Sequence, residues 1–176
     1  MVARASSAAP SLGEHVALAL VAQGEEHGWA VGTRLAPDGD IGRIWTLSRA
    51  LTYRAIELLV ERGLVARRGT AQGRGGDRTL LRPTARGRQA LDAWLDEPVA
   101  HLRDVRTELL VKLTLREQAG LPAAPLLAAQ RAHLAATIEA LTQAEPDDYV
   151  DLWRRVSAEA VARFLEAAPS VRNVNA

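Results

Sequence analysis

The segment Gly69-Thr70-Ala71-Gln72-Gly73-Arg74-Gly75-Gly76-Asp77 carries no large apolar side chain and places three glycines in four positions. Such a stretch cannot contribute to a packed core. The runs on either side, Leu64-Val65-Ala66-Arg67-Arg68 and Thr79-Leu80-Leu81-Arg82, have the pattern of short strands. Two strands separated by a glycine-rich span predict a hairpin with a mobile tip over 69–77. The glycines do not make a phosphate-binding loop. The Gly-x-x-x-x-Gly-Lys-[Ser/Thr] pattern is absent, and no helix begins directly after them.

The remaining patterned sequence predicts helices. Ser11-Leu12-Gly13-Glu14 has the spacing of a capping box, and Leu12, Val16, Ala19 and Leu20 continue in helical phase to about residue 23, before Gly24. A short helix comes next over about 28–36, ended by Pro37-Asp38-Gly39-Asp40. Ser48 is the expected N-cap of a third helix reaching about Arg62, with Gly63 at its stop. On a helical projection Leu51, Ala55, Leu58 and Leu59 share one side, while Arg49, Tyr53, Arg54, Glu57 and Glu61 share the other. Beyond the hairpin, helices are expected over about 85–95, with Leu91, Trp94 and Leu95 apolar, and over about 102–118, with Leu102, Val105, Leu109 and Leu113 in phase. Another runs from Pro122 and Pro125 to about Ala144, and the last covers about 148–167. In that last helix Tyr149, Leu152, Trp153, Val156, Ala160 and Phe164 form an apolar seam, which suits either a two-fold interface or an internal core.

At 176 residues the chain makes one large domain or two small ones, and 48% hydrophobic with 24% charged residues is a globular composition. With no cysteine, disulfides, thiolate metal sites and cysteine nucleophiles are excluded. His15, His27, His101 and His133 lack the i, i+4 spacing of a helical zinc pair, and no Gly-x-Ser-x-Gly elbow is present, so neither a metal site, a catalytic residue nor a cofactor is expected. The first ten residues lack the apolar core of a signal peptide, and no uncharged apolar run is long enough to span a bilayer. A cytoplasmic, non-enzymatic protein without a membrane partner is expected.

The formal net charge of +1 hides an uneven distribution. Residues 1–95 hold 13 arginines against 9 acids, a net of +4, and residues 96–176 hold 9 basic against 12 acidic residues, a net of −3. Between Arg43 and Arg88 eleven arginines face only Glu57, Glu61 and Asp77, a net of +8 in 46 residues. Only Lys112 is lysine, a bias that GC-rich coding explains, but coding bias does not explain the clustering. A cationic segment of this kind fits a polyanion partner through phosphate contacts and counterion release, or else a solvated basic face.

Three helices, a two-stranded hairpin with a basic tip and a further helix is the order of a winged helix-turn-helix. In that arrangement the third helix enters the major groove and offers Ser48, Arg49, Thr52, Tyr53 and Arg54, while Arg67, Arg68, Arg74 and Arg78 lie in the wing. Arginine reads guanine through O6 and N7, and hydroxyls bond phosphate.

The stretch Ser48-Arg49-Ala50-Leu51-Thr52-Tyr53-Arg54-Ala55-Ile56-Glu57-Leu58-Leu59-Val60-Glu61-Arg62-Gly63-Leu64-Val65 resembles the recognition helix and wing start of the PadR-type transcriptional regulators. His27-Gly28-Trp29 resembles the start of that family's second helix, and Arg82-Pro83-Thr84-Ala85-Arg86-Gly87 its wing exit, with Leu81 where an aromatic is common and Pro83 in place of an apolar residue. Arg106-Thr107-Glu108-Leu109-Leu110-Val111-Lys112-Leu113 resembles the first helix of the virulence-activator-like C-terminal domain of longer members. The resemblance implies a mainly α fold with a small two-stranded β wing. It comprises a winged helix-turn-helix DNA-binding domain over 11–95 and an all-α dimerisation domain over 96–168, with flexible tails at 1–10 and 169–176. It implies a homodimeric repressor on a pseudo-palindromic double-stranded operator, with dimer contacts at Leu109, Leu113, Leu152, Trp153, Val156, Ala160 and Phe164 and a small-molecule effector. Some relatives line a ligand pocket with aromatics near the fourth helix, a role the resemblance offers Trp94; the apolar stripe it occupies favours core packing. The alternative from a different class is a winged-helix interaction module whose arginine face meets an acidic protein.

Overall fold

The computed structural model of the chain describes residues 9–73 and 76–171. It separates into two compact units, 1–94 and 95–176.

In the first unit the order is α1 (Leu12–Ala22), α2 (Gly28–Arg34), α3 (Arg49–Glu61), β1 (Val65–Gly73), β2 (Gly76–Pro83) and α4 (Ala85–Asp96), the last running two residues past the unit boundary. α1 starts with the expected capping box: Ser11 Oγ accepts from the Glu14 amide, and Glu14 accepts from the Ser11 amide at 2.9 Å. This helix is apolar nearly all round, with Val16, Ala17, Leu18, Ala19, Leu20 and Val21 buried, and a helix of that kind belongs inside a domain. Val31, Leu35, Ile41, Leu59, Leu64, Val65, Leu81 and Leu91 complete the core. Trp94 is buried too, with its ring stacked on His15 at 4.7 Å and 5° between planes. This placement is the core packing that its apolar stripe suits.

The hairpin differs from expectation in length. Pairing runs antiparallel from Val65 opposite Pro83 to Gly73 opposite Gly76, so residues expected to form an open tip are paired strand. A register irregularity between Arg67 and Thr70 lets the ladder continue through the glycine-rich span, as bulges do. Neither departure at the wing exit disturbs it: Leu81 is buried, and Pro83 sits at the strand end. The Leu81 amide also donates to the Glu26 carbonyl at 2.7 Å, which ties the wing to the segment before α2.

The helix-to-strand and strand-to-helix corners interlock. Gly63 succeeds the α3 C-cap with φ of +69°, where a side chain would be strained. Thr84 Oγ1 donates to the Gly63 carbonyl at 2.8 Å and accepts from the Gly87 amide at 2.9 Å, capping α4. A Cβ on Gly87 would stand 2.0 Å from the Leu64 carbonyl oxygen, so glycine alone permits this approach.

The second unit holds α5 (Leu102–Asp104), a π turn (Val105–Leu109), α6 (Leu110–Gln118), α7 (Ala124–Gln143) and α8 (Tyr149–Ala167), with a 3-10 turn at Ala168–Ser170. The single helix expected over 102–118 is therefore interrupted. A π turn takes up an extra residue and rotates the C-terminal part of the helix about its axis. Leu113 is consequently only part-buried, while Val111 and Leu115 are fully buried. The core here is Val99, Val105, Leu109, Leu126, Leu127, Leu134 and Leu165. Its buried polar groups are paired: Gln130 bonds both the amide and the carbonyl of Val99 at 2.7 and 3.0 Å. Lys112 donates to the Glu97 carbonyl at 2.7 Å and pairs with Glu108 at 3.0 Å. Arg116 donates to the carbonyls of Leu95 and Pro122. Among the described residues no helix is long and apolar enough to cross a membrane. The tails expected at 1–10 and 169–176 lie outside the described residues at 1–8 and 172–176.

Candidate nucleic-acid interface

The candidate interface is built on the first turns of α3. Ser48 caps the helix, its hydroxyl accepting from the Leu51 amide at 3.3 Å. The buried stripe is Thr52, Ala55, Ile56 and Leu59, with helical spacing throughout. This corrects two expectations. Leu51, expected inward, is 56% exposed. Thr52, expected to meet DNA, is completely buried, and its hydroxyl donates to the Ser48 carbonyl at 3.1 Å. A threonine whose hydroxyl is satisfied by the preceding turn behaves as a small β-branched apolar residue, and polarity counting cannot see that.

The surface left at the start of α3 is Ser48, Arg49, Ala50, Leu51, Tyr53 and Arg54. Ala50 and Leu51 are not marked by polarity in the sequence; both add apolar area of the type that meets a thymine methyl. Tyr53 is half-exposed and leans on α2, where a Cβ on Gly28 would lie 2.6 Å from its Cε1. That close approach accounts for glycine between His27 and Trp29. His27 itself caps α2, with Nδ1 accepting from the Ala30 amide at 3.2 Å.

Apart from Arg86, which donates to the Arg62 carbonyl at 3.3 Å, the arginines of the basic segment whose side chains are described divide into two groups. Arg62 donates to Glu14 at 2.7 Å and is largely buried; Arg67 donates to both carboxylate oxygens of Glu57; Arg82 pairs with Glu26 at 3.3 Å. These tie elements together. Arg43, Arg49, Arg54, Arg68 and Arg88 are exposed and have no carboxylate partner among the described residues. Arg49 and Arg54 on α3 and Arg68 on β1 are therefore the uncompensated cations of the expected contact set. Arg74 lies outside the described residues, and Arg78 is placed by its backbone pairing with Ala71.

Glu14 joins the two sides of this scaffold. Burial alone pushes its carboxyl up. The amide and hydroxyl of Ser11 and the guanidinium of Arg62 outweigh that and hold it below the ordinary carboxylate value. The N-terminus of α1 is thereby locked to the C-cap of α3.

The second unit exposes Tyr149, Val150, Leu152, Trp153 and Val156 along the first turns of α8. Leu109, expected at a dimer contact, is fully buried in its own core, and Leu113 packs beside it. Leu109 is thereby corrected from interface to interior, while Leu113 keeps part of its surface exposed. Trp153, Ala160 and Phe164 line a groove beside α5 and the π turn, together with Arg103, Arg106 and Arg154.

No protein-family profile matches the chain, and no curated protein matches it. Among solved structures it is similar to Bacillus subtilis PadR in complex with operator DNA, at 18% identity over 91% of this chain and 98% of that one, with a TM-score of 0.46. The winged helix is identified by the order and pairing of elements within this chain itself.

Proposed function

We propose that the chain is a DNA-binding transcriptional regulator, acting in the cytoplasm as a homodimeric repressor on a pseudo-palindromic operator and responding to a small-molecule effector. The observation that carries this reading is the exposed face of the first two turns of α3, where Arg49 and Arg54 have no carboxylate partner among the described residues. In a winged helix this turn is the part that meets base edges, and arginine there selects guanine. Arg68 and the partly described wing supply phosphate contacts. The exposed apolar residues Tyr149, Leu152, Trp153 and Val156 on α8 support self-association, since a second copy would cover them.

Gel-shift titration of the purified chain against fragments upstream of its own gene tests the reading. A retarded complex whose affinity falls steeply with salt is expected. No complex with any fragment at low salt would reject it. Retention of one acidic protein after nuclease treatment, with no DNA bound, would instead identify an interaction module.

A further inference from the structure

Among the described residues of the first unit, the exposed large hydrophobic side chains are Trp29, Leu51 and Tyr53. Trp29 and Tyr53 each carry a polar tip, and Tyr53 is held against Gly28 of α2. Leu51 has neither property, and it is the most exposed of the three. It is the third residue of α3 and stands outside the buried stripe of Thr52, Ala55, Ile56 and Leu59. At about 100° per residue, Leu51 and Tyr53 occupy opposite flanks of the helix, with Ala50 and Arg54 between them.

A single exposed leucine needs no explanation on an ordinary surface. This one lies on the surface proposed to meet DNA, between Arg49 and Arg54, which have no carboxylate partner among the described residues. Base edges in the major groove present hydrogen-bond donors and acceptors, with one apolar exception, the C5-methyl of thymine. A leucine pressed on a donor or acceptor strips its water and returns no hydrogen bond. Against a methyl group it buries apolar area and leaves nothing unpaired. Phosphate binding gains nothing from it, because leucine releases no counterion.

We infer that Leu51 is a specificity-determining residue that reads a C5-methyl group on a pyrimidine: thymine in ordinary DNA, and 5-methylcytosine where cytosine is methylated. The selectivity is for the methyl and not for the hydrogen-bonding edge. Cytosine methylation at that position therefore tightens binding as thymine does over uracil. The inference rests on the proposed DNA-binding reading of α3 and adds to it the base substituent that hydrogen bonding does not recognise.

The test uses the full chain and synthetic duplexes of the shortest upstream fragment that gives a retarded complex. Each thymine is replaced in turn by deoxyuridine, which removes the methyl and keeps the O4 acceptor. A position is expected at which uracil weakens binding about four-fold, the scale of one buried methyl. Cytosine and 5-methylcytosine placed there should differ by a similar factor, in favour of the methylated base. Leu51→Ala withdraws the side chain and should bring both ratios close to one, whereas Leu51→Met should keep them. Both variants should melt as the parent does, because the side chain is exposed and alanine and methionine favour helix. Indifference to the methyl at every thymine would overturn the inference, as would a methyl ratio unchanged in Leu51→Ala. Equal weakening of thymine and uracil duplexes by Leu51→Ala would also overturn it, and would mark a packing role. In these three cases the parent still forms its complex, so the DNA-binding reading survives. Absence of any complex at low salt would reject that reading and this inference together.

Discussion

Thr52 and Arg49 are separated by less than one helical turn, yet their roles are opposite. Thr52 is interior, held by the Ser48 carbonyl, so Thr52→Ala should lower stability by about 1 kcal/mol in denaturant unfolding and leave base preference unchanged. Arg49→Ala should leave stability alone and cost about 1–3 kcal/mol of DNA affinity, with relaxed preference at one base position. A uniform loss over all sequences would mean that Arg49 holds phosphate. Glu14 gives a pH-dependent counterpart. Its folded carboxyl is held below the unfolded value of 4.5, so the stability it contributes is complete above that value and disappears as pH falls through the lower folded value. Glu14→Gln should therefore flatten the acid limb of the stability profile. At neutral pH it should cost about 3 kcal/mol, because the largely buried Arg62 loses the Glu14 carboxylate. An unchanged acid limb would show that the pair is not a lock between α1 and α3.

Among the elements, those with local signals were legible in the sequence. Capping boxes, N-cap serines and glycine stops act within one or two turns, so α1, the start of α3 and Gly63 are where the sequence pattern puts them. The wing was legible in kind but not in length, because strand pairing through Gly73 and Gly76 depends on a bulge rather than on side-chain alternation. The π turn carries no sequence signal: Leu102, Val105, Leu109 and Leu113 fit an uninterrupted helix, and only packing shows that Leu113 leaves the line. Leu51 and Thr52 exchanged places for a related reason. Period and polarity fix a helical stripe only to within about one residue, and neighbours decide the rest. The Thr84 and Gly87 corner tests how rigidly the wing is attached. Gly87→Ala forces a methyl against the Leu64 carbonyl and should cost about 2–3 kcal/mol. Equilibrium unfolding reads that loss, and an unaffected variant would mean that α4 can move away freely.

For the whole molecule, the division of charge follows the division into two units. The arginine excess belongs to the winged-helix unit, and the acidic excess belongs to the helical unit with its exposed α8 face. If that face joins two copies, Leu152→Glu with Val156→Glu should convert a dimer to a monomer in sedimentation equilibrium. The same change should roughly halve the salt slope of DNA binding, because half of the phosphate contacts are lost. A variant that still sediments as the parent does would move the self-association surface elsewhere. The most direct measurement of the central claim is selection of bound fragments from the source genome, run in parallel with the parent chain and Arg49→Ala. Enrichment of a site with two related half-sites is expected, with one position in each half-site degraded in the variant. Enrichment of no sequence at low salt, or an identical motif from both proteins, would contradict the assignment of the α3 N-terminal turn as the reading surface.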